Sequence, residues 1–246
     1  MLLENKKVLI TGAGRGIGRQ TAIEMAKEGA VILGAGRRQT PLLEMAEQVQ
    51  QLGGRSYIAT MDIADYDMSK QAIDALAEES GGIDILVHCA AIFEEAFFTD
   101  MTPKQWQRTI SIDLNGAYNV IHSAIPYIIK AKGSVVSVVS QDAFYGCPGY
   151  SHYSASKAAV VGLTRTLARE LGPSGVRLNC VAPGITETEM TRERIADGRE
   201  SYLEKLPVGH IGQPKEIADA IVFLASEKAS YITGQVIHAN GGMYLG

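Results

Sequence analysis

Short apolar runs recur along the chain at Lys7–Ile10, Ala30–Leu33, Tyr57–Ala59, Ile85–Val87, Val135–Val139, Leu178–Val181 and Val236–His238. Runs of that length, rich in Val, Ile and Leu, read as strands. Longer amphipathic stretches separate most of them, among them Pro41–Leu52, Met68–Glu79, Pro103–Lys130 and Ser154–Leu171. Another helical pattern follows the first strand, offering Ile17, Thr21, Ile23, Met25 and Ala26 for its buried side and stopping at Gly29. Alternation of strand and helix means parallel strands joined by right-handed crossovers. The pattern therefore predicts an α/β fold, a doubly wound parallel sheet of about seven strands with helices on both faces. Ligands bind such sheets at the carboxyl ends of the strands. Gly12, Gly36, Asp62, Ala90, Ser140 and Pro183 all fall at those ends.

The first strand runs directly into Thr11-Gly12-Ala13-Gly14-Arg15-Gly16-Ile17-Gly18, and a helix begins there. Glycines let backbone approach a ligand closely, while the free N–H groups and dipole of a helix N-terminus favour negative charge. Strand, turn and helix together make a pyrophosphate site. The spacing is Gly12-x-x-x-Gly16-x-Gly18, not the G-x-G-x-x-G fingerprint, because residues 17 and 19 are Ile and Arg.

A second constellation lies further on. Tyr153 and Lys157 are four residues apart in a helical stretch, and Ser140 closes the strand-like run before it. Residues i and i+4 share a helix face, so the ammonium is expected beneath the phenol ring. A nearby cation favours the phenolate and is expected to lower the tyrosine pKa from about 10. Ser140 would hold a substrate oxygen while Tyr153 moves the proton. His152 adjoins Tyr153, but adjacent helical residues point about 100° apart and do not share a target.

On these motifs the chain resembles the short-chain dehydrogenase/reductase family, over about Asn5 to Met243. The resemblance implies a Rossmann-type fold and a single catalytic domain over residues 1–246. Thr11-Gly12-x-x-x-Gly16-Ile17-Gly18 resembles the family's cofactor turn, Asp62 and Ile63 its adenine-contacting pair, and Ala90 the place where backbone passes the cofactor. Pro183, Gly184, Thr186 and Thr188 resemble the segment that holds the nicotinamide end. Ser140, Tyr153 and Lys157 match the catalytic set, and Lys157 is implied to bind the nicotinamide ribose as well. Asn115 is matched to the family's helix asparagine, which supports a water in the proton relay. One motif departs: His88-Cys89-Ala90-Ala91 stands where the family usually has Asn-Asn-Ala-Gly, so hydrogen bonding there must differ.

Cofactor choice follows from charge. Sites that select NAD place an acid about 20 residues past the glycines. Ala30 to Leu43 contains no Asp or Glu but does contain Arg37 and Arg38, and Arg15 projects from the turn. Guanidinium forks suit phosphate, so NADP(H) is expected in preference to NAD, with Arg37 as the main 2′-phosphate ligand and Arg15 and Arg38 assisting.

The substrate is less sharply defined. Glu94, Gln141, Tyr145, Cys147 and Tyr150, with Ser140, make a mixed polar and aromatic set of pocket candidates. The C-terminal segments Tyr231–Gln235 and Asn240–Tyr244, and Gly212–Asp219, are similar to those of 3-oxoacyl carrier-protein reductases. Basic residues that would meet a carrier protein are replaced by Ala131 and Ser174, with Lys130 and Lys132 nearby. The readings are a 3-oxoacyl thioester reductase or a dehydrogenase of a polyol, hydroxy acid or other small catabolic alcohol. The charged segment 186–214 is either a substrate lid or a solvated surface helix.

Bulk properties exclude other classes. A formal charge of −4 without a basic stripe argues against nucleic-acid binding. No apolar stretch reaches the roughly 20 residues that span a bilayer, and residues 1–7 lead straight into a strand, so a cytoplasmic protein is expected. Three cysteines form no paired framework, and five histidines lack ligand spacing, so no metal site is expected. The helices Pro103–Lys130 and Ser154–Leu171 carry Trp106, Ile110, Tyr118, Ile121, Val160, Val161, Leu163 and Leu167, a surplus of apolar residues that predicts self-association. The resemblance implies a homotetramer, with Val236–Tyr244 in a second interface.

Overall fold

The structure, a computed structural model, describes residues 1–246. All seven apolar runs are strands: β1 Lys7–Thr11, β2 Val31–Gly36, β3 Arg55–Thr60, β4 Ile85–His88, β5 Ser134–Val138, β6 Arg177–Pro183 and β7 Val236–Ala239. They form one parallel sheet of order β3-β2-β1-β4-β5-β6-β7. The strand order reverses between β1 and β4, where the family of doubly wound sheets opens its ligand crevice. Gly36 and Pro183 are the last residues of their strands rather than the first beyond them.

Helices α1 Gly16–Lys27, α2 Gln39–Gln51, α3 Tyr66–Ser80, α4 Pro103–Thr109, α5 Gly116–Ala131, α6 Asp142–Tyr145, α7 Ser151–Leu171, α8 Arg192–Leu203 and α9 Pro214–Ala225 connect the strands. Alternate strand residues point to opposite faces. Val8 and Ile10 pack with Met25 of α1, Met45 of α2 and Ile221 of α9 in one core. Leu9, between them, packs with Ile73 of α3 and Val120 and Ile128 of α5 in the other. No polar face remains on the central strands, which is why they read as continuous apolar runs.

The stretch read as one helix over Pro103–Lys130 is broken. After α4 a π-helical segment occupies Ile110–Asn115 before α5 resumes α geometry. Such segments widen one turn and recur at functional sites. Helix α8 is bent at Gly198 (φ −127°) and is fastened by a small separate core of Ile195, Leu206 and Ile211. No helix is long and apolar enough to cross a membrane.

Candidate active site

A cavity of about 270 Å³ opens at the carboxyl ends of the strands. At one end lies the turn between β1 and α1. Gly12 has φ +69°, and a Cβ there would stand 3.0 Å from the Ala90 backbone nitrogen. A Cβ on Gly18 would lie 2.3 Å from the Gly12 carbonyl oxygen, so this turn packs backbone on backbone. Arg15 precedes α1 without a side-chain cap, and Gly16, Ile17 and Gly18 line the cavity. The first N–H groups of α1 therefore keep their capacity for an anion. Arg15, Arg37 and Arg38 border the same end, are exposed and form no ion pair. Arg19, by contrast, is committed to Glu44 at 2.7 Å.

Asp62, Ile63, Ala90, Pro183, Gly184, Thr186 and Thr188 also line the cavity. So do Ser140, Gln141, Tyr153 and Lys157. The Lys157 Nζ sits 5.5 Å from the Tyr153 ring centroid and donates to the Val138 carbonyl at 3.1 Å. An ammonium has three donors, so two remain free. Ser140 Oγ accepts from the Asp142 backbone N–H at 3.1 Å, which turns its hydroxyl toward the cavity.

One electrostatic expectation is reversed. Burial, then the Asp113 and Asp142 carboxyls, push the Tyr153 phenol above its ordinary value, with Ser140 acting in the opposite sense. Lys157 does not prevail, because it is itself buried and held below the usual amine range, with Asp113 opposing that shift. Desolvation disfavours both charged forms at once.

The departure at His88-Cys89-Ala90-Ala91 has a structural account. Thr11 Oγ1 lies 3.0 Å from His88 Nδ1 and accepts from the Cys89 and Ala90 backbone N–H groups at 3.2 and 3.3 Å. The threonine hydroxyl thus ties β1 to the end of β4. Burial, followed by the Lys157 charge, lowers His88 to about 3, so its ring is neutral and shares a single hydrogen bond with Thr11 through Nδ1. Burial likewise raises the Cys89 thiol to about 12, which makes it an inert lining residue.

Asn115 requires correction. It is exposed and outside the cavity, and its side chain has no hydrogen bond. Positions 113, 117, 121, 124 and 128 point inward, spaced as one helical stripe, whereas Asn115, Tyr118 and His122 share the outer side. The inward residue is Asp113, fully buried, whose Oδ1 accepts from the Ile92 N–H at 2.9 Å while Oδ2 has no partner.

Four of the substrate candidates also lie outside the lining. Glu94 is exposed and ion-paired with Arg108. Cys147 and Tyr150 stand behind the wall: Tyr150 stacks on Phe93 at 4.1 Å, and Cys147 Sγ accepts from Arg194 at 3.1 Å. Tyr145 is exposed and meets Tyr244. The wall itself is built from Phe93, Asp142, Met190, Arg194 and Tyr202, none of them among the pocket candidates. Arg194 and Tyr202 share a face of α8, a relation visible in their eight-residue spacing but not aimed by it at any cavity.

The sheet order, the turn and the Ser140, Tyr153 and Lys157 cluster have counterparts in known proteins. A family model described as Enoyl-(Acyl carrier protein) reductase matches residues 12–244. The chain is 39% identical over 246 residues, the whole of both chains, to the 3-oxoacyl-(acyl-carrier-protein) reductase FabG of Thermotoga maritima. It is 36% identical to the reductase of the same name from Staphylococcus epidermidis, over 98% of this chain and 100% of that one. A crystal structure described as a short-chain dehydrogenase/reductase, glucose/ribitol dehydrogenase, from Brucella melitensis superposes with TM-score 0.94 at 36% identity, covering 100% of this chain and 99% of that one. The chain belongs to the short-chain dehydrogenase/reductase family. It is an NAD(P)-dependent oxidoreductase acting on alcohol and keto groups.

The residues present fit a nicotinamide dinucleotide. The uncapped α1 N-terminus suits its pyrophosphate, and the two free donors of Lys157 suit vicinal ribose hydroxyls.

Proposed function

We propose that this protein interconverts a ketone and a secondary alcohol with NADP(H), and that its substrates are 3-oxoacyl compounds. The observation that carries the reading is the meeting of Ser140, Tyr153 and Lys157 in one cavity with the uncapped α1 and three unpaired guanidiniums. The bound cofactor supplies or accepts a hydride. Ser140 holds the substrate oxygen, and Tyr153 delivers a proton to it. A buried phenol held above its ordinary pKa is neutral at physiological pH, which is the form that donates. Lys157 keeps the ribose end in register and carries positive charge toward the developing alkoxide.

Gly12, Gly16, Ile17 and Gly18 seat the pyrophosphate, and Arg37, with Arg15 and Arg38, the adenosine 2′-phosphate. Asp62 and Ile63 border the adenine, with Ala90, Pro183, Gly184, Thr186 and Thr188 along the nicotinamide side. The segment 186–214, which contributes Thr188, Met190, Arg194 and Tyr202 to the lining, serves as a lid. Kinship with the two reductases supports 3-oxoacyl thioesters, whereas an unpaired cation at the substrate end favours the second reading, a dehydrogenase of small hydroxy acids.

Tyr153→Phe tests the chemistry. It removes the donor, so turnover should fall by about 10²–10⁴-fold or more while NADPH affinity stays nearly intact. Wild-type turnover in that variant, followed by nicotinamide absorbance, would remove Tyr153 from the mechanism.

A further inference from the structure

Arg194 is the one guanidinium at the substrate end of the cavity, and its setting is that of a held group. Its Nε donates to Tyr202 Oη at 2.6 Å and Nη2 to Cys147 Sγ at 3.1 Å. Its Cζ stands 4.9 Å from the Tyr150 ring centroid, 5.5 Å from Phe93 and 5.9 Å from Tyr202. Ring contacts of this kind orient a guanidinium, here a half-buried one. Nη1 has no partner in the protein, and no carboxylate lies within ion-pair distance of the group.

None of the surrounding groups forms an ion pair with it. Cys147 stays a thiol, since burial raises its pKa above the ordinary range despite the arginine beside it. Asp142 lines the cavity and feels the Arg194 charge, but forms no ion pair with it. Glu189 also lines the cavity without pairing to Arg194. An always-charged fork, held against three rings and without an ion-pair partner, lines the cavity.

Its distance from the chemistry is short. Phe93 meets Tyr153 edge-on at 4.8 Å between centroids, and Arg194 lies over the same Phe93 ring. One aromatic ring therefore separates the proton donor from the cation. Both groups line the one cavity, so a substrate with its carbonyl at Ser140 and Tyr153 shares that space with the guanidinium. We infer that Arg194 is a substrate-binding residue that takes a carboxylate, so that the preferred substrates are short oxo acids and the matching hydroxy acids. A thioester carbonyl could accept one hydrogen bond but would leave the charge without its counter-ion.

The inference rests on the proposed oxidoreductase reading of this cavity, and the test separates the two. Reduction of 3-oxobutanoate is compared with that of its methyl ester, in wild type, Arg194→Leu and Arg194→Lys. Wild type should favour the acid in kcat/KM by at least about tenfold, as a charge-assisted pair allows. Arg194→Leu should abolish that preference mainly through KM, and Arg194→Lys should retain part of it. Unchanged NADPH affinity and circular dichroism show that Arg194→Leu is folded; if it is not, the Arg194→Lys comparison decides. In parallel, calorimetry of the NADP⁺-loaded protein compares butanoate with butanamide, neither of which can react. Tighter binding of butanoate, lost in Arg194→Leu, supports the carboxylate site even if neither ketone is reduced, an outcome that would count only against the proposed reaction. Equal binding of the acid and amide, or an ester reduced as well as its acid, overturns the inference.

Discussion

Asp113 shows how much one residue's direction matters. Burial raises its carboxyl to about 6, against the partial relief given by the Lys157 charge and the Ile92 N–H. An unfolded aspartate titrates near about 4. Below that value both states are protonated and contribute no difference. Between about 4 and 6 the unfolded chain releases its proton while the folded chain keeps it, so stability falls as pH rises, and above 6 the full penalty persists. The shift corresponds to a penalty on the order of 2–3 kcal/mol. Asp113→Asn keeps the acceptor for Ile92 and removes the charge. Urea denaturation at pH 4.5 and 7.5 should find the variant gaining on wild type between the two. A variant less stable than wild type at pH 7.5 would show that Asp113 repays its burial through Lys157. The sequence contained the means to choose Asp113 over Asn115, since 113, 117, 121, 124 and 128 form the buried stripe of α5 and the preceding turn. Asn115 matches the family's helix asparagine in residue type but not in helical phase.

At the scale of elements, the strands and the cofactor turn were the most legible features. A strand buried on both faces needs an unbroken apolar run, and each run here became a strand within a few residues. The turn was equally plain because only glycine fits where Gly18 meets the Gly12 carbonyl. The π segment had no signal, since its extra residue changes backbone pairing without altering composition. The substrate wall was also hidden. Phe93 and Arg194 come from separate loops and helices whose approach is settled by packing, so neither local pattern identifies them. The cofactor turn carries its own test, because β2 delivers Arg37 to the cavity with its guanidinium unpaired. Charge-assisted hydrogen bonds contribute about 1.5–3 kcal/mol, so Arg37→Ala should shift preference toward NADH by at least tenfold. Fluorescence titrations with both reduced nucleotides measure it. Equal wild-type affinity for NADH and NADPH would refute the assignment.

At the scale of the molecule, the surplus apolar surface predicted from two helices is smaller than the sequence suggested. Ile121, Val160 and Val161 serve the internal core, and Leu163, Leu167 and Ile110 are partly covered. Trp106 and Tyr118 remain 39% and 50% exposed, on α4 and α5. Independent support comes from the sheet. Its edge strand β7 is only half-buried at every position, and an unpaired strand edge is commonly covered by another chain. Phe223, Tyr231 and Leu245 add exposed apolar area elsewhere on the chain. We predict two kinds of two-fold contact from these two faces, and two such contacts would close into a tetramer. Light scattering at micromolar concentration should therefore return four times the 26.4 kDa chain mass. Trp106→Glu with Tyr118→Glu should halve that assembly while leaving the fold intact, since both side chains lie outside the cores. A dimer in the unmodified protein would leave only one face as an interface, and a stable monomer would assign both to solvent.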